Sequence, residues 1–303
     1  MSEQDFVAAL KALATDPAAR GLADDAAVLP VAGTRLVLTH DTMVEDVHFL
    51  RGDPPGDVAW KLVAVNLSDL AAKGARPAGV LLSYTLRGDP GWDAAFIRGL
   101  GEVLSAYSVP LLGGDTVAGP ARILGLTAIG EASGVVPSRA GASPGDALFV
   151  TGTIGDAALG LALAREGVEH PADLLRAYRR PVPQLGAGRV LAPVVSAMMD
   201  VSDGLLIDAA RLALASGCAA LIDLDAVPLS PAAIEGAGAG RAARLAAAVA
   251  GDDYQLLFTS AKPLPPLPVP VTRIGQIVPG EGVKLFDAAG DVPLPARLGW
   301  LHE

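Results

Sequence analysis

Residues 57–87 read DVAWKLVAVNLSDLAAKGARPAGVLLSYTLR, and this stretch decides the fold. Residues 57–75 have uninterrupted helical character. Pro54, Pro55 and Gly56 introduce them and Gly74 and Pro77 close them, as helix starts and stops require. Residues 80–87, VLLSYTLR, then read as a strand. The same alternation continues outward. Upstream, residues 3–13 carry apolar side chains at helical spacing, and AAVLP (26–30) and RLVLTHD (35–41) are β-like, the second alternating with period two. Downstream come a helix over 91–107 and a strand over 122–132. Strands alternating with long helices define an α/β (α+β) protein.

PSRAGASPGD, residues 137–146, clusters Pro, Gly and Ser between two apolar strands. It predicts two domains, 1–136 and 137–303. The second holds the strand ALFVTGT, the helix GDAALGLALARE, a helical region over 171–191, the strand VVSAMMD, the helix of SDGLLIDAARLALASG, then the strands ALIDL, YQLLF and VTRIGQI. EGAGAGRAARLAAAVA reads as loop plus helix and PLPPLPVP as a connector.

Composition narrows the function. With 51% apolar and 18% charged residues the chain is globular rather than disordered. A net charge of −10 argues against nucleic acid or anionic lipid as partner, and no apolar run is long enough to span a bilayer. The N-terminus carries charges where a signal peptide needs an apolar run, and the one cysteine, Cys218, can form no internal disulfide. A soluble, unprocessed, cytoplasmic protein is expected, with Cys218 as a small buried apolar residue.

The chemistry lies in aspartates that end apolar stretches: ADDAAV (Asp24, Asp25), LVLTHDT (Asp41), LLGGDT (Asp115), MMDVSDG (Asp200, Asp203) and AGDDY (Asp252, Asp253). Asp69 joins them from the helix VNLSDLAAKGA. Any one of these reads first as a turn or helix-cap residue. As a set they repel one another unless a cation neutralises them, and Mg²⁺ is the natural cation for an oxygen-only site shared with phosphates. Asn66, Asp69 and Lys73 share one helical stripe, and the scarcity of other polar residues there favours Asp69 as a metal ligand over a solvated Asp69–Lys73 pair. Gly113 and Gly114 bare the backbone for a phosphate, and the turn holding Asp200, Ser202 and Asp203 is expected to aim amides at an anion. No Gly-Lys dipeptide occurs, so there is no P-loop, and neither G-x-G-x-x-G before a helix nor H-R-D is present. His48 beside Phe49 reads first as structural, and Arg139 as an exposed linker residue. Trp300 is either a core anchor or a stacking platform.

Eight strings in this order, GLADDAAVLP, LTHDTMVEDVHF, WKLVAVNLSDLAAKGARP, LLGGDT, SRAGASPGD, VTGTIGD, MMDVSDGLLIDAARLA and AGDDYQLLF, resemble the thiamine-monophosphate kinase family. That family lies in the superfamily of aminoimidazole ribonucleotide synthetase. The resemblance covers nearly the whole chain. It implies the two-domain fold of that superfamily and transfer of the γ-phosphate of ATP directly onto thiamine monophosphate. It also implies a homodimer whose N-terminal halves pair their sheets in a shared barrel. Carried over, Asp25, Asp41, Asp69, Asp115, Asp200 and Asp203 are the implied ligands of several Mg²⁺ ions, assisted by Thr39 and a main-chain oxygen at His40. Asp41, Asp115 and Asp203 are the implied catalytic residues. Gly114, Asp115, Arg139 and Ser202 would contact ATP, and His48, Asp252 and Trp300 the thiamine moiety. Ala23, His40 and Asp252 depart from the family pattern, Asp252 standing where Glu is usual.

Two rivals from the same superfamily, selenophosphate synthetase and a hydrogenase-maturation dehydratase, call for a reactive Cys or selenocysteine near the N-terminus or a cysteine at the C-terminus. Cys218 is central. A non-enzymatic acidic metal-binding protein would show no nucleotide-dependent turnover.

Overall fold

The structure, a computed structural model, describes residues 3–301. The first half runs α1 (Glu3–Lys11), a 3₁₀ turn, β1 (Ala27–Val31), β2 (Thr34–Val44), α2 (Pro55–Ala72), β3 (Arg76–Leu86), α3 (Pro90–Tyr107), β4 (Leu111–Ala118) and β5 (Ile123–Ala132). The strands form one sheet in the order β1-β2-β5-β3-β4, and only β3–β4, joined through α3, is parallel. Helices α2 and α3 pack on one face of this sheet, where Leu62, Leu67, Leu70, Phe96, Leu124 and Leu126 are buried. Burying a side chain of that size contributes about 1.5–3 kcal/mol.

Local sequence explains the ends of these elements. Pro55 occupies the first turn of α2, where a missing N–H costs nothing. At its far end Gly74, at φ +62°, turns the chain back toward β3 and the Ala75 N–H caps the Leu70 carbonyl. Asp89 caps α3 through the Trp92 N–H.

The second half comprises β6 (Ala147–Thr151), α4 (Asp156–Glu166), α5 (Ala172–Arg179), α6 (Leu185–Leu191), β7 (Ala197–Asp200), α7 (Leu205–Ser216), β8 (Ala219–Asp223), α8 (Pro231–Ala237), α9 (Arg241–Val249), β9 (Leu256–Ser260), β10 (Val271–Val278), β11 (Gly282–Asp287) and β12 (Gly290–Val292). Its sheet order is β12-β11-β8-β10-β6-β9-β7, with β8–β11 parallel. A small apolar cluster joins the halves: Ala71 and Ala72 of α2 pack with Leu191 of α6, Met198 of β7 and Phe258 of β9. This docking sets the end of α2 beside the end of β7.

The two-domain, mixed α+β reading holds. Some details differ. The helical region over 171–191 is two helices, because Pro181 and Pro183 interrupt it. Strand β2 continues past Asp41 to Val44, so Asp41 is a mid-strand residue. The β11–β12 hairpin had no expectation. Cys218 is buried. Among the described residues no helix is long and apolar enough to cross a membrane.

Candidate active site

Between the two halves lies an open cavity of about 1110 Å³. Five elements deliver its acids. Asp25 precedes β1; Thr39 and Asp41 alternate along β2 on the side facing α2; Asp69 projects from α2; Asp200 ends β7; Asp203 lies in the β7–α7 turn. Asn66 ties strand to helix, its Oδ1 accepting the Asp41 N–H at 3.0 Å while its amide donates to Leu62 O.

Oxygens of Asp25, Asp69 and Asp200 all lie within 4.8 Å of one another. Thr39 Oγ1 donates to Asp69 Oδ2, and Ser68 Oγ to Asp200 Oδ2 at 2.6 Å. Asp25 Oδ1 accepts from Arg139 Nε at 2.8 Å; its Oδ2 is 2.6 Å from Lys73 Nζ yet accepts no hydrogen bond. Burial, followed by the charges of Asp25 and Asp203, pushes Asp41 up to about 6. Burial, with Asp25 next, pushes Asp200 up to about 7. Asp69 is raised well above the carboxylate range by burial and by Asp41, Asp200 and Asp25. Asp24 goes the other way: burial opposes its ionisation, but Lys73 and Arg20 outweigh it and hold it at about 2. Oxygen-only donors and mutual repulsion among them fit a hard divalent cation such as Mg²⁺.

The expected residues fall into four groups. Asp25, Thr39, Asp41, Asp69, Arg139, Asp200, Ser202 and Asp203 line the cavity around the acids. His48, Asp252 and Trp300 line it as well. His48 Nδ1 accepts the Val44 N–H at 3.0 Å, and Trp300 donates its main-chain N–H to Asp203 O at 2.8 Å with the residue 54% exposed, so it is no core anchor. The His40 imidazole sits on the other face of β2, bonded to Thr127 at 2.9 Å, which leaves only its main chain for a metal role. Gly114 and Asp115 are elsewhere. They lie on β4, an edge strand exposed along its whole length, three strand spacings (about 14 Å) from Asp41.

Two local readings change. The amides of Ser202, Asp203 and Gly204 all donate to Asp208 Oδ2, at 3.1, 3.1 and 3.2 Å, so that turn already holds its anion. Arg139, read first as an exposed linker residue, is partly buried and pairs with Asp25; Lys73 pairs with Asp24 and Asp25, so the solvated Asp69–Lys73 pair that the sequence reading disfavoured does not form. Lys61, Ser68, Tyr254 and Arg211 carry contacts that sequence reasoning did not assign. Of these only Lys61 left a signal, as one of the few charges in a largely apolar helix.

Comparison with known proteins follows the geometry. Residues 23–132 match the family AIR synthase related protein, N-terminal domain, and residues 143–288 the corresponding C-terminal domain. The chain is an AIR synthase related protein. A Caulobacter vibrioides thiamine-monophosphate kinase is 42% identical over 95% of this chain and 86% of that one. A solved complex, AaThiL with AMPPCP and TMP, superposes at a TM-score of 0.90 with 31% identity, covering 100% of this chain and 97% of that one. The thiamine-monophosphate kinase from Stenotrophomonas maltophilia K279a follows at a TM-score of 0.76 and 38% identity, covering 93% and 94%. Within the AIR synthase related proteins, the chain belongs to the thiamine-monophosphate kinase family.

Proposed function

We infer that this chain is an ATP- and Mg²⁺-dependent kinase of thiamine biosynthesis, transferring the γ-phosphoryl group of ATP in line onto the phosphate of thiamine monophosphate to give thiamine diphosphate and ADP. The observation that carries the reading is the trio of Asp25 and Asp69, each half-buried, and Asp200, buried, that lines the cavity with oxygens within 4.8 Å of one another. Asp25, Asp69 and Asp200, with Asp41, Asp203, Thr39 and the His40 main chain, would hold the metal. Bound Mg²⁺ supplies charge neutralisation and a template for the phosphates. Arg139 lies beside Asp25, where its guanidinium can meet nucleotide phosphate, with Ser202 across the cleft. An acceptor phosphate is already anionic, so no strong general base is required and positioning does most of the work. His48, Asp252 and Trp300 would seat the thiamine moiety, the exposed indole stacking on a flat ring.

Gly114 and Asp115 enter this reading through a homodimer. The face of the first sheet away from α2 and α3 carries Leu81, Val117 and Ile123 exposed, and β4 is an open edge. Two such sheets closing on each other would cover the apolar face and bring Asp115 toward the cavity of the partner. A division into domains 1–136 and 137–303 and a cytoplasmic location complete the reading, the second supported by the single buried thiol.

The test is turnover with ATP and Mg²⁺ against thiamine monophosphate, free thiamine and no acceptor, with thiamine diphosphate quantified. Product from the monophosphate alone supports the reading; nucleotide consumption independent of the monophosphate contradicts it.

A further inference from the structure

Lys61 is 3% exposed, in the middle of α2. It shares a helical stripe with Val65 and Asp69, and all three line the cavity. Eight residues of helix set Lys61 about 12 Å from Asp69, toward the end where His48 and Asp252 lie. A lysine this deep needs partners for its charge, and it has them. Nζ donates to Asp252 Oδ2 at 2.7 Å and to the main-chain oxygen of His48 at 3.1 Å, and stands 4.4 Å from the centroid of the Tyr178 ring. An ammonium has three N–H bonds, so two oxygens and an aromatic face saturate it. It has nothing left to offer a substrate phosphate.

What it fixes is Asp252. That residue stands at φ +67° and Tyr254, two residues on, at +50°, both in the left-handed region. Non-glycine residues held there cost on the order of 1 kcal/mol or more and persist where the surroundings over-determine them. Here the determinants are on view. The Asp252 N–H donates to Ser202 O and the Tyr254 N–H to Val201 O, each at 2.8 Å. The Tyr254 hydroxyl donates to Asp252 Oδ1 at 3.0 Å, while Lys61 holds Oδ2. With its side chain 34% exposed, the carboxylate is pinned at both oxygens yet open to the cavity.

We propose that Lys61 is a positioning residue for the acceptor: by holding Asp252 Oδ2 and the His48 main chain at once, it sets the shape of the thiamine end of the cavity. This rests on the thiamine monophosphate reading above. Lys61 reaches from the first half of the chain to a loop of the second, so the geometry of that end depends on one contact across the halves.

The experiment is a double-mutant cycle with Lys61→Met, Asp252→Asn and both together, measuring KM separately for thiamine monophosphate and for ATP. Lys61→Met should raise KM for thiamine monophosphate about tenfold or more and change KM for ATP less than about twofold. In the Asp252→Asn background the same change should add less than about twofold, because Lys61 acts through that carboxylate. An equal rise in both KM values, or full multiplication of the two single effects, overturns the proposal and leaves Lys61 as packing. If Lys61→Met does not fold, Lys61→Arg keeps the charge in a longer side chain that displaces Asp252. It should give the same selective rise, and an unchanged KM overturns the proposal equally. A wild-type enzyme that makes no thiamine diphosphate overturns both readings, and is told apart by being seen before any variant is made.

Discussion

Asp69 and Asp200 come from opposite halves of the chain, one from α2 and one from the end of β7, and share a single buried acidic cluster with Asp25. The docking of α2 against β7 and β9 through Ala71, Ala72, Met198 and Phe258 puts them there. The acids therefore cost stability that the packing around them offsets, and the cost is recovered only when a cation binds.

Replacing either acid separates stability from activity. Asp69→Asn or Asp200→Asn should lower kcat/KM by about 10²-fold or more, because a metal-held charge at the reacting phosphates is lost. The metal-free Tm should not fall, since repulsion is relieved. Steady-state kinetics and thermal melts in EDTA check both. Near-normal turnover would remove that residue from the metal site.

The raised carboxylates set a pH dependence whose sign is fixed. Unfolded aspartates ionise near 3.9, whereas Asp41 is held at about 6 and Asp200 at about 7. Between those values the folded chain binds more protons than the unfolded one, so this contribution is present at low pH and lost as pH rises from about 4 to 7. The metal-free Tm should therefore decline between about pH 4 and 7, and the rise in Tm on adding Mg²⁺ should be larger at pH 8 than at pH 5.5. A Mg²⁺ effect independent of pH would contradict the assignment.

Asp115 permits a test of subunit cooperation. If it serves the partner's cavity, Asp115→Asn and Asp200→Asn proteins are each inactive alone. Mixed and allowed to exchange subunits, half the dimers are hybrids with one intact site each, restoring about a quarter of wild-type activity. No recovery in a mixture shown to contain hybrids would place Asp115 outside the partner's site.

The thiamine end makes its own prediction. Trp300→Ala should raise KM for thiamine monophosphate about tenfold with little effect on KM for ATP, as loss of one stacking surface would. Asp252→Glu should keep activity, since glutamate is the residue usual at this position in the family the sequence resembles. Equal changes in both KM values for Trp300→Ala would argue against stacking.

The sequence showed the acids because Asp69 within the apolar helical run of residues 62–72, and aspartates closing apolar runs, have few structural explanations. It showed α2 and β3 because Pro55, Gly74 and the change of period mark their ends. Contacts made across the chain were not legible. Lys61 and Asp252 are 191 residues apart, and nothing local links them. The β7–α7 turn misled for the opposite reason. Its amides do seek an anion, but Asp208, one helical turn on, supplies it. The position of Asp115 depends on which strand lies at the sheet edge, which a GGDT motif does not encode.

The most direct measurement is ³¹P NMR of the wild-type protein with ATP, thiamine monophosphate and Mg²⁺. One thiamine diphosphate should appear for each ADP, with no inorganic phosphate and no reaction in EDTA. ADP and inorganic phosphate without thiamine diphosphate would contradict the assignment of this cleft to phosphoryl transfer onto thiamine monophosphate.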